Sequence, residues 1–577
     1  MIYRNGYIYT VDARSSTAEA LVTRDGVIVY VGNEGGAQKF AGRETKIVDL
    51  HGRMMMPGLV DGHMHPLSGG LKLVSCSLSY AALTVEQFRA RIQGCLDGSR
   101  DKEPDGWLEV ESWFQQNMLP PGTEVDFTDL DVLDTRRPIL VRSSFGHTTL
   151  ANSRALELAE ITPSTPDPKN GKIAHDAQGR PTGIFEDAAQ SLFDDLLPET
   201  TDAERLVAGL ASLREMNAQG ITSFLDASAE HSDVNVYATL QRQGKLTIRS
   251  HFAVLVGGEP GQSAGEAVAS VLKIAREFDQ GPITPRPTIT VRNAKLFMDG
   301  VIAAPSLTGT MLEPYFENRG TDEKPDWVSS DNTGPPPYFS AADLKTYLLE
   351  LAGAGIDPHI HADGDGATRY ALDGFAAMRK QYSPQDIRAA IAHAEIVDPS
   401  DFARFAELDV VPVLSFQWGK PASDTIEGLR DYLGPARFKY LEPQGFLQEA
   451  GARIAYGSDW PVDPLDEWFA LKVGVTRTNA PDAPERYAGR LGEDPGLSRD
   501  AVVRAITINS SYELHQEDET GSLEVGKFAD LIVLDRNLFD IPAEEIADIK
   551  VLLTVVGGEV VYAAGEMAAT GSDSIKH

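Results

Sequence analysis

The sequence predicts an α/β fold: a (β/α)8 TIM-like barrel carrying a small discontinuous β-sandwich built from both chain ends. Three observations lead there. The central chain alternates apolar β-runs with helical stretches, the pattern of parallel α/β architecture. The two chain ends read alike, as short alternating strands with turns. Residue types able to hold a metal fall at the ends of several central β-runs.

The N-terminal end offers β-runs at 7–11 and 25–31, and the C-terminal end offers them at 529–534 and 551–562. Asp25-Gly26 and Gly557-Gly558 are hairpin-type turns between apolar runs. Neither end alone buries enough apolar surface for a stable domain. The expected organisation is therefore a sandwich from 1–55 and 510–577, with the barrel over 56–509.

Eight candidate barrel strands lie at 59–65, 221–227, 248–256, 289–297, 356–361, 389–394, 410–416 and 453–459. The run at 221 follows a helical stretch with its Gly220 stop, as an αβ unit should. Eight such units imply a closed barrel, whose chemistry sits at the C-terminal strand ends. A doubly wound open sheet competes, but no phosphate-binding Gly fingerprint supports it. The first two strands are separated by a long insertion at about 69–205. It contains a β-run at 138–142 and the helix-like stretch 152–158, and is expected to form a subdomain over the barrel mouth. The Pro-, Gly- and charge-rich stretch 313–339 reads as a loop on the same face, and 462–497 leads into a final helix starting near Ser498.

With 577 residues the chain is long enough for a large barrel with an accessory domain. Lys+Arg is 52 and Asp+Glu 85, so the net charge is −33. So acidic a surface repels phosphate backbones and anionic membranes, which argues against nucleic-acid and membrane partners. The only cysteines, Cys76 and Cys95, form no C-x-x-C, and are expected as buried inert thiols rather than a disulfide framework. No basic-then-apolar leader opens the sequence, and no apolar run reaches the roughly 18 residues that span a bilayer. The expectation is a cytoplasmic enzyme.

The segment PGLVDGHMH (57–65) places His63 and His65 two apart on a β-run, so both imidazoles point the same way. Such a pair at a strand mouth suits one divalent metal, against the plainer reading of two surface histidines. Lys295, His361, His393 and Asp459 each fall in the last turns of a later predicted strand. His359 shares the face of His361, and spacing alone does not choose between them.

Together these segments resemble the metal-dependent amidohydrolase superfamily, and within it the "amidohydrolase 3" group. The resemblance covers nearly the whole chain. Beyond the H-x-H segment it rests on NSRALELA (152–159), GRPTGIFED (179–187), AKLFMDG (294–300), HADGD (361–365), AHAE (392–395), YGSDWPV (456–462) and GSLEVGKFADLIVLD (521–535). It implies a distorted (β/α)8 barrel beside a β-sandwich. It implies His63, His65 and Asp459 on one metal, and His361 rather than His359, with His393, on a second. Lys295 matches the strand-four lysine that members of the superfamily can carry as a carbamate bridging two metals; otherwise it is a substrate-facing or ion-paired lysine beside one metal. The cofactor expected is Zn²⁺, one ion or two, or another divalent transition metal. Zinc lowers the pKa of a bound water to about 7, supplying hydroxide to attack a carbonyl. Asp459 would accept the water's proton and return it to the leaving nitrogen.

His147 ends a β-like run where these proteins often carry histidine, and is a candidate for the developing oxyanion or for structure. Trp113, Glu186 and Trp460 are candidate substrate contacts. His51, His175, His231, His251, His515 and His577 match no ligand pattern. The loop 301–309 reads VIAAPSLTG, where the group shows a Ser/Gly-rich run with Arg-Thr-Ala. The group includes formamide deformylases; the loop's apolar character puts that specificity in doubt and points to an apolar or aromatic substrate portion.

The expectation is thus a metal-dependent hydrolase of a C–N amide-type bond in a small molecule; the sequence leaves the oligomeric state open, with a homodimer the assembly the resemblance suggests. Two readings compete: ester, lactone, lyase or decarboxylase chemistry on the same barrel, and a non-catalytic binding protein on a retired one.

Overall fold

The central runs are buried along both faces, as parallel strands are. In the computed structural model they form one eight-stranded sheet in which every strand pairs in parallel with its sequence neighbours. The structure describes residues 1–567 except 100–104, 116–117, 121, 145, 147, 169–170, 258–260, 305 and 322–323. The strands are β1 (Leu59–Met64), β2 (Ile221–Ala229), β3 (Arg249–Leu255), β4 (Ile289–Phe297), β5 (Asp357–Ala362), β6 (Ala389–His393), β7 (Val410–Leu414) and β8 (Ala455–Tyr456). The ring nearly closes where the Asp459 amide donates to His63 O at 2.8 Å. All eight lie where sequence patterning places them.

The last strand is much shorter than its apolar run. Gly457 ends it because the chain presses against β1: a Cβ there would collide with the His63 backbone and Cβ. Two residues on, Asp459 takes a left-handed φ of 54°. The turn therefore re-aims Asp459 toward β1 instead of continuing the ladder.

The chain ends supply two more sheets. A four-stranded sheet joins Ile2–Arg4, Ala20–Arg24, Val27–Gly32 and Ile47–Asp49. A six-stranded sheet mixes both ends: Met54–Pro57 pairs with Tyr7–Tyr9 on one side and antiparallel with Leu531–Leu534 on the other. One buried cluster serves both sheets, with Tyr3, Ile8, Leu21, Ile28 and Met55 meeting Leu531, Val533, Leu553 and Val555. Arg249 of β3 reaches this region and grips Asp530, Nε to Oδ2 at 2.7 Å and Nη2 to Oδ1 at 3.1 Å, both side chains fully buried. Removing one partner strands a buried charge, so Asp530→Ala is expected to cost about 3–5 kcal/mol. A urea-midpoint shift at constant slope checks this.

Residues 66–212 and 460–464 form a separate compact unit. Its six-stranded sheet runs in the order Gly171–His175, Pro181–Asp187, Thr148–Ala151, Ile139–Ser143, Leu108–Trp113, Cys76–Ser77. Helix Val85–Ser99 buries Phe88, Ile92 and Leu96 against Val110, Trp113 and Val141. That packing corrects the expectation of inert thiols. Cys76 lies on the edge strand and Cys95 on the helix laid over the sheet, their Cα atoms 5.7 Å apart, and they form a disulfide. A strand-to-helix pairing across 19 residues leaves no spacing signature. Among the described residues no helix is long and apolar enough to cross a membrane.

Candidate metal centre

Period-two alternation brings the His63 and His65 imidazoles to the same end of β1, His63 almost fully buried. The turn after β8 brings Asp459 to meet them. Asp459 Oδ1 lies 3.5 Å from His63 Nε2 and 3.2 Å from His65 Nε2. Asp61 locks the two segments together by accepting the His63 amide at 3.0 Å and the Ser458 amide at 3.1 Å. Lys295 reaches in from β4, its Nζ 3.5 Å from His63 Nε2.

A second group adjoins the first. The His393 ring centre lies 4.7 Å from those of both His63 and His361. His361, His393 and Asp363 offer ligand atoms within 4.8 Å of one another, as do His63, His65 and Asp459. Asp363 was not among the sequence candidates. Its signal was present in HADGD, where it stands two residues beyond His361 and so on the same face. His359, the alternative to His361, falls in neither group; its Nε2 lies 2.7 Å behind His63 Nδ1.

The electrostatics suit a cation. Burial, reinforced by Lys295, holds His63 well below the usual imidazole range and brings His361 down to about 3. Burial and His361 do the same for His393. These imidazoles are neutral, the form that ligates. Burial pushes Asp459 up, but the His65 hydrogen bond, together with His393, His65 and Lys295 beside it, outweighs burial and holds the carboxyl below its ordinary value. Asp363 goes the other way: burial, then Glu395 and Asp299, push it well up, and its Oδ1 has no hydrogen-bond partner among the described residues. A cation beside it removes that penalty. Burial lowers Lys295 to about 8.

Asp299 of AKLFMDG holds the second group in place. It accepts amides from Thr310 at 2.8 Å and from Asp363 and Gly364 at 3.0 Å each. Asparagine would turn a donor toward one of these amides, so Asp299→Asn is expected to cost roughly 2–4 kcal/mol, read as a lowered thermal midpoint. Phe297 lies 5.0 Å from His361, and Trp418 stacks on His393 at 5.4 Å. Both give the centre apolar walls, and neither was a sequence candidate.

Four candidates belong to residues 66–212 and 460–464. His147 lies outside the described residues. Trp113 is buried in that unit's core against Phe88. Glu186 is half-buried, 3.5 Å from Lys172 Nζ. Trp460 packs its ring on the Gly69 backbone.

The amidohydrolase family model matches residues 46–562, from the end sheets through every strand of the centre. The chain belongs to the amidohydrolase family. Full-length relatives agree. The amidohydrolase YtcJ of Bacillus subtilis is 27% identical, covering 97% of this chain and 99% of that one. The N-substituted formamide deformylase of Arthrobacter pascens is 26% identical over 97% of each. Among solved structures, a metal-dependent hydrolase of Pyrococcus horikoshii superposes with a TM-score of 0.70 at 22% identity, covering 94% of this chain and 98% of that one. This amidohydrolase therefore shares its fold with metal-dependent hydrolases. Its His and Asp groups form a donor set for a divalent metal.

Proposed function

We propose that this amidohydrolase is a metal-dependent hydrolase that cleaves a C–N amide-type bond of a small molecule. The observation that carries the reading is the convergence of His63 Nε2, His65 Nε2 and Asp459 Oδ1 beside the His361–His393–Asp363 group. His63, His65 and Asp459 would hold one cation, and His361, His393 and Asp363 a second, with Lys295 as its carbamate between them. A bound divalent cation lowers the pKa of water and polarises a carbonyl oxygen.

The protein's own contribution is positional. Asp459, ionised, accepts the proton of the attacking water and passes it to the departing nitrogen. Its φ of 54° aims the carboxylate into the centre, where it meets both imidazoles of β1. Phe297 and Trp418 shield the reacting atoms from bulk water, which strengthens every charge interaction inside. The apolar loop after Gly300 favours an apolar or aromatic acyl or amine portion. We read the end sheets, over 1–55 and 510–577, as the β-sandwich beside the barrel.

The test joins metal analysis of purified protein to a panel of N-formyl amines, N-acyl amines and esters. The expected result is bound divalent metal and turnover confined to C–N bonds. Ester turnover alone would move the reading to the other bond. Absence of both metal and turnover after zinc loading would favour a binding protein.

A further inference from the structure

Behind His63, on the side away from Asp459, lies a buried line of polar groups that the proposed reaction does not use. His63 Nδ1 is 2.7 Å from His359 Nε2. His359 Nδ1 in turn is 3.1 Å from Glu513 Oε1. His359 and Glu513 are at most 1% exposed. Neither His359 Nδ1 nor either Glu513 carboxyl oxygen has a hydrogen-bond partner among the described residues. Two unsatisfied buried polar groups thus face each other, one able to donate and the other only needing to accept.

The surroundings are built to admit this carboxylate. Glu513 ends the helix Ser510–Glu513, which Ser510 fastens under β8 through the Tyr456 backbone, its Oγ 3.3 Å from both Tyr456 N and O. Gly62, between Asp61 and His63, leaves the space the carboxylate fills: a Cβ there would collide with Glu513 Oε2. Glycine is therefore required at 62 for contact, with no call on its backbone freedom.

We infer that Glu513 and His359 are positioning residues that fix the tautomer and angle of His63. The proton placement follows from the atoms. His63 Nε2 faces Asp459 and must keep its lone pair free for a cation, so its proton sits on Nδ1. That proton is donated to His359 Nε2. His359 then carries its own proton on Nδ1, the nitrogen that lies 3.1 Å from Glu513 Oε1. A carboxyl oxygen is able to accept that proton's hydrogen bond whether or not the group is ionised. No proton is transferred; the line works by holding each one. It rests on the reading that His63 ligates a metal, and carboxylate–histidine support behind a ligating histidine is a general way of raising its basicity and fixing its ring.

The test measures zinc affinity by chelator competition for wild type, Glu513→Leu, Glu513→Gln and His359→Phe, with the unfolding midpoint of each metal-free protein taken alongside. Leucine keeps bulk without an acceptor, whereas glutamine keeps an acceptor oxygen. E513L and H359F are expected to bind zinc about 10–100-fold more weakly than wild type, and E513Q to lose less. The double variant E513Q/H359F is expected to lose no more than H359F, because the line is already cut at His359. If E513L does not fold, that double variant decides, since an additional loss in it would overturn the relay. Wild-type affinity in both E513L and H359F overturns it too, and so does an E513Q loss equal to that of E513L. A wild-type protein that takes up no zinc overturns the metal reading first, and the relay falls with it.

Discussion

Replacing Asp459 with asparagine is expected to lower kcat by about 10²–10⁴-fold while leaving the fold intact, the range a positioned general base contributes. The side chains are nearly isosteric, and the left-handed backbone that aims residue 459 is one asparagine tolerates. What is lost is the charge. Asp459 is the carboxylate shared by His63 and His65, and His65, with His393 and Lys295, holds it below its ordinary value against the pull of burial. An amide neither accepts the water's proton nor balances a cation between the two imidazoles. Bound metal is therefore expected to fall along with turnover. Metal analysis and kcat measured on the same preparation separate the two effects: kcat per bound metal should still be depressed. Unchanged kcat per metal would confine Asp459 to ligation.

The sequence made the barrel and most of its ligand-type residues legible for one physical reason. Parallel strands buried on both faces are uninterrupted apolar runs, and the residues ending them converge wherever a barrel closes. His63, His65 and His393 could therefore be placed from local pattern alone. Asp459 was legible as the end of an apolar run although most of that run is not strand. The turn that presents it depends on Gly457 meeting the His63 backbone, a contact between residues far apart in the chain. The choice between His359 and His361 was invisible to periodicity because both share a face. In three dimensions the two separate: His361 joins His393 and Asp363, whereas His359 lies with its Nδ1 3.1 Å from Glu513. Glu513 itself stands in Ser511-Tyr512-Glu513-Leu514, a stretch with no motif, and only three-dimensional packing gives it a role. The Cys76–Cys95 bond was hidden for the same reason, since a helix laid over a sheet edge pairs positions that no spacing rule links.

Lys295→Met is expected to remove the second cation and lower kcat/KM by about 10³-fold, several kcal/mol of lost electrostatic stabilisation. Lys295 is buried beside His63, and an ammonium there repels any cation the imidazoles would hold. Burial has already brought its pKa down to about 8, so a sizeable neutral fraction exists near neutrality. Only the neutral amine reacts with carbon dioxide, and the product is an anion able to bridge. The sign with pH follows. Below about 8 the ammonium dominates and carbamate formation is slow; above it the free amine dominates and formation is fast. At a fixed concentration of dissolved carbon dioxide, metal-free protein reloaded with zinc is therefore expected to take up the second ion faster at pH 9 than at pH 7, and not when carbon dioxide is excluded. In K295M the second ion should be absent at either pH, with or without bicarbonate. A carbonyl-carbon resonance from ¹³C-labelled bicarbonate, present in wild type and missing in K295M, reads the bridge directly. Zinc stoichiometry that is identical in the two proteins and indifferent to bicarbonate would leave Lys295 as a cation in a one-metal site, its charge balanced by Asp459, Asp363 and Asp226, the carboxylates acting on it now.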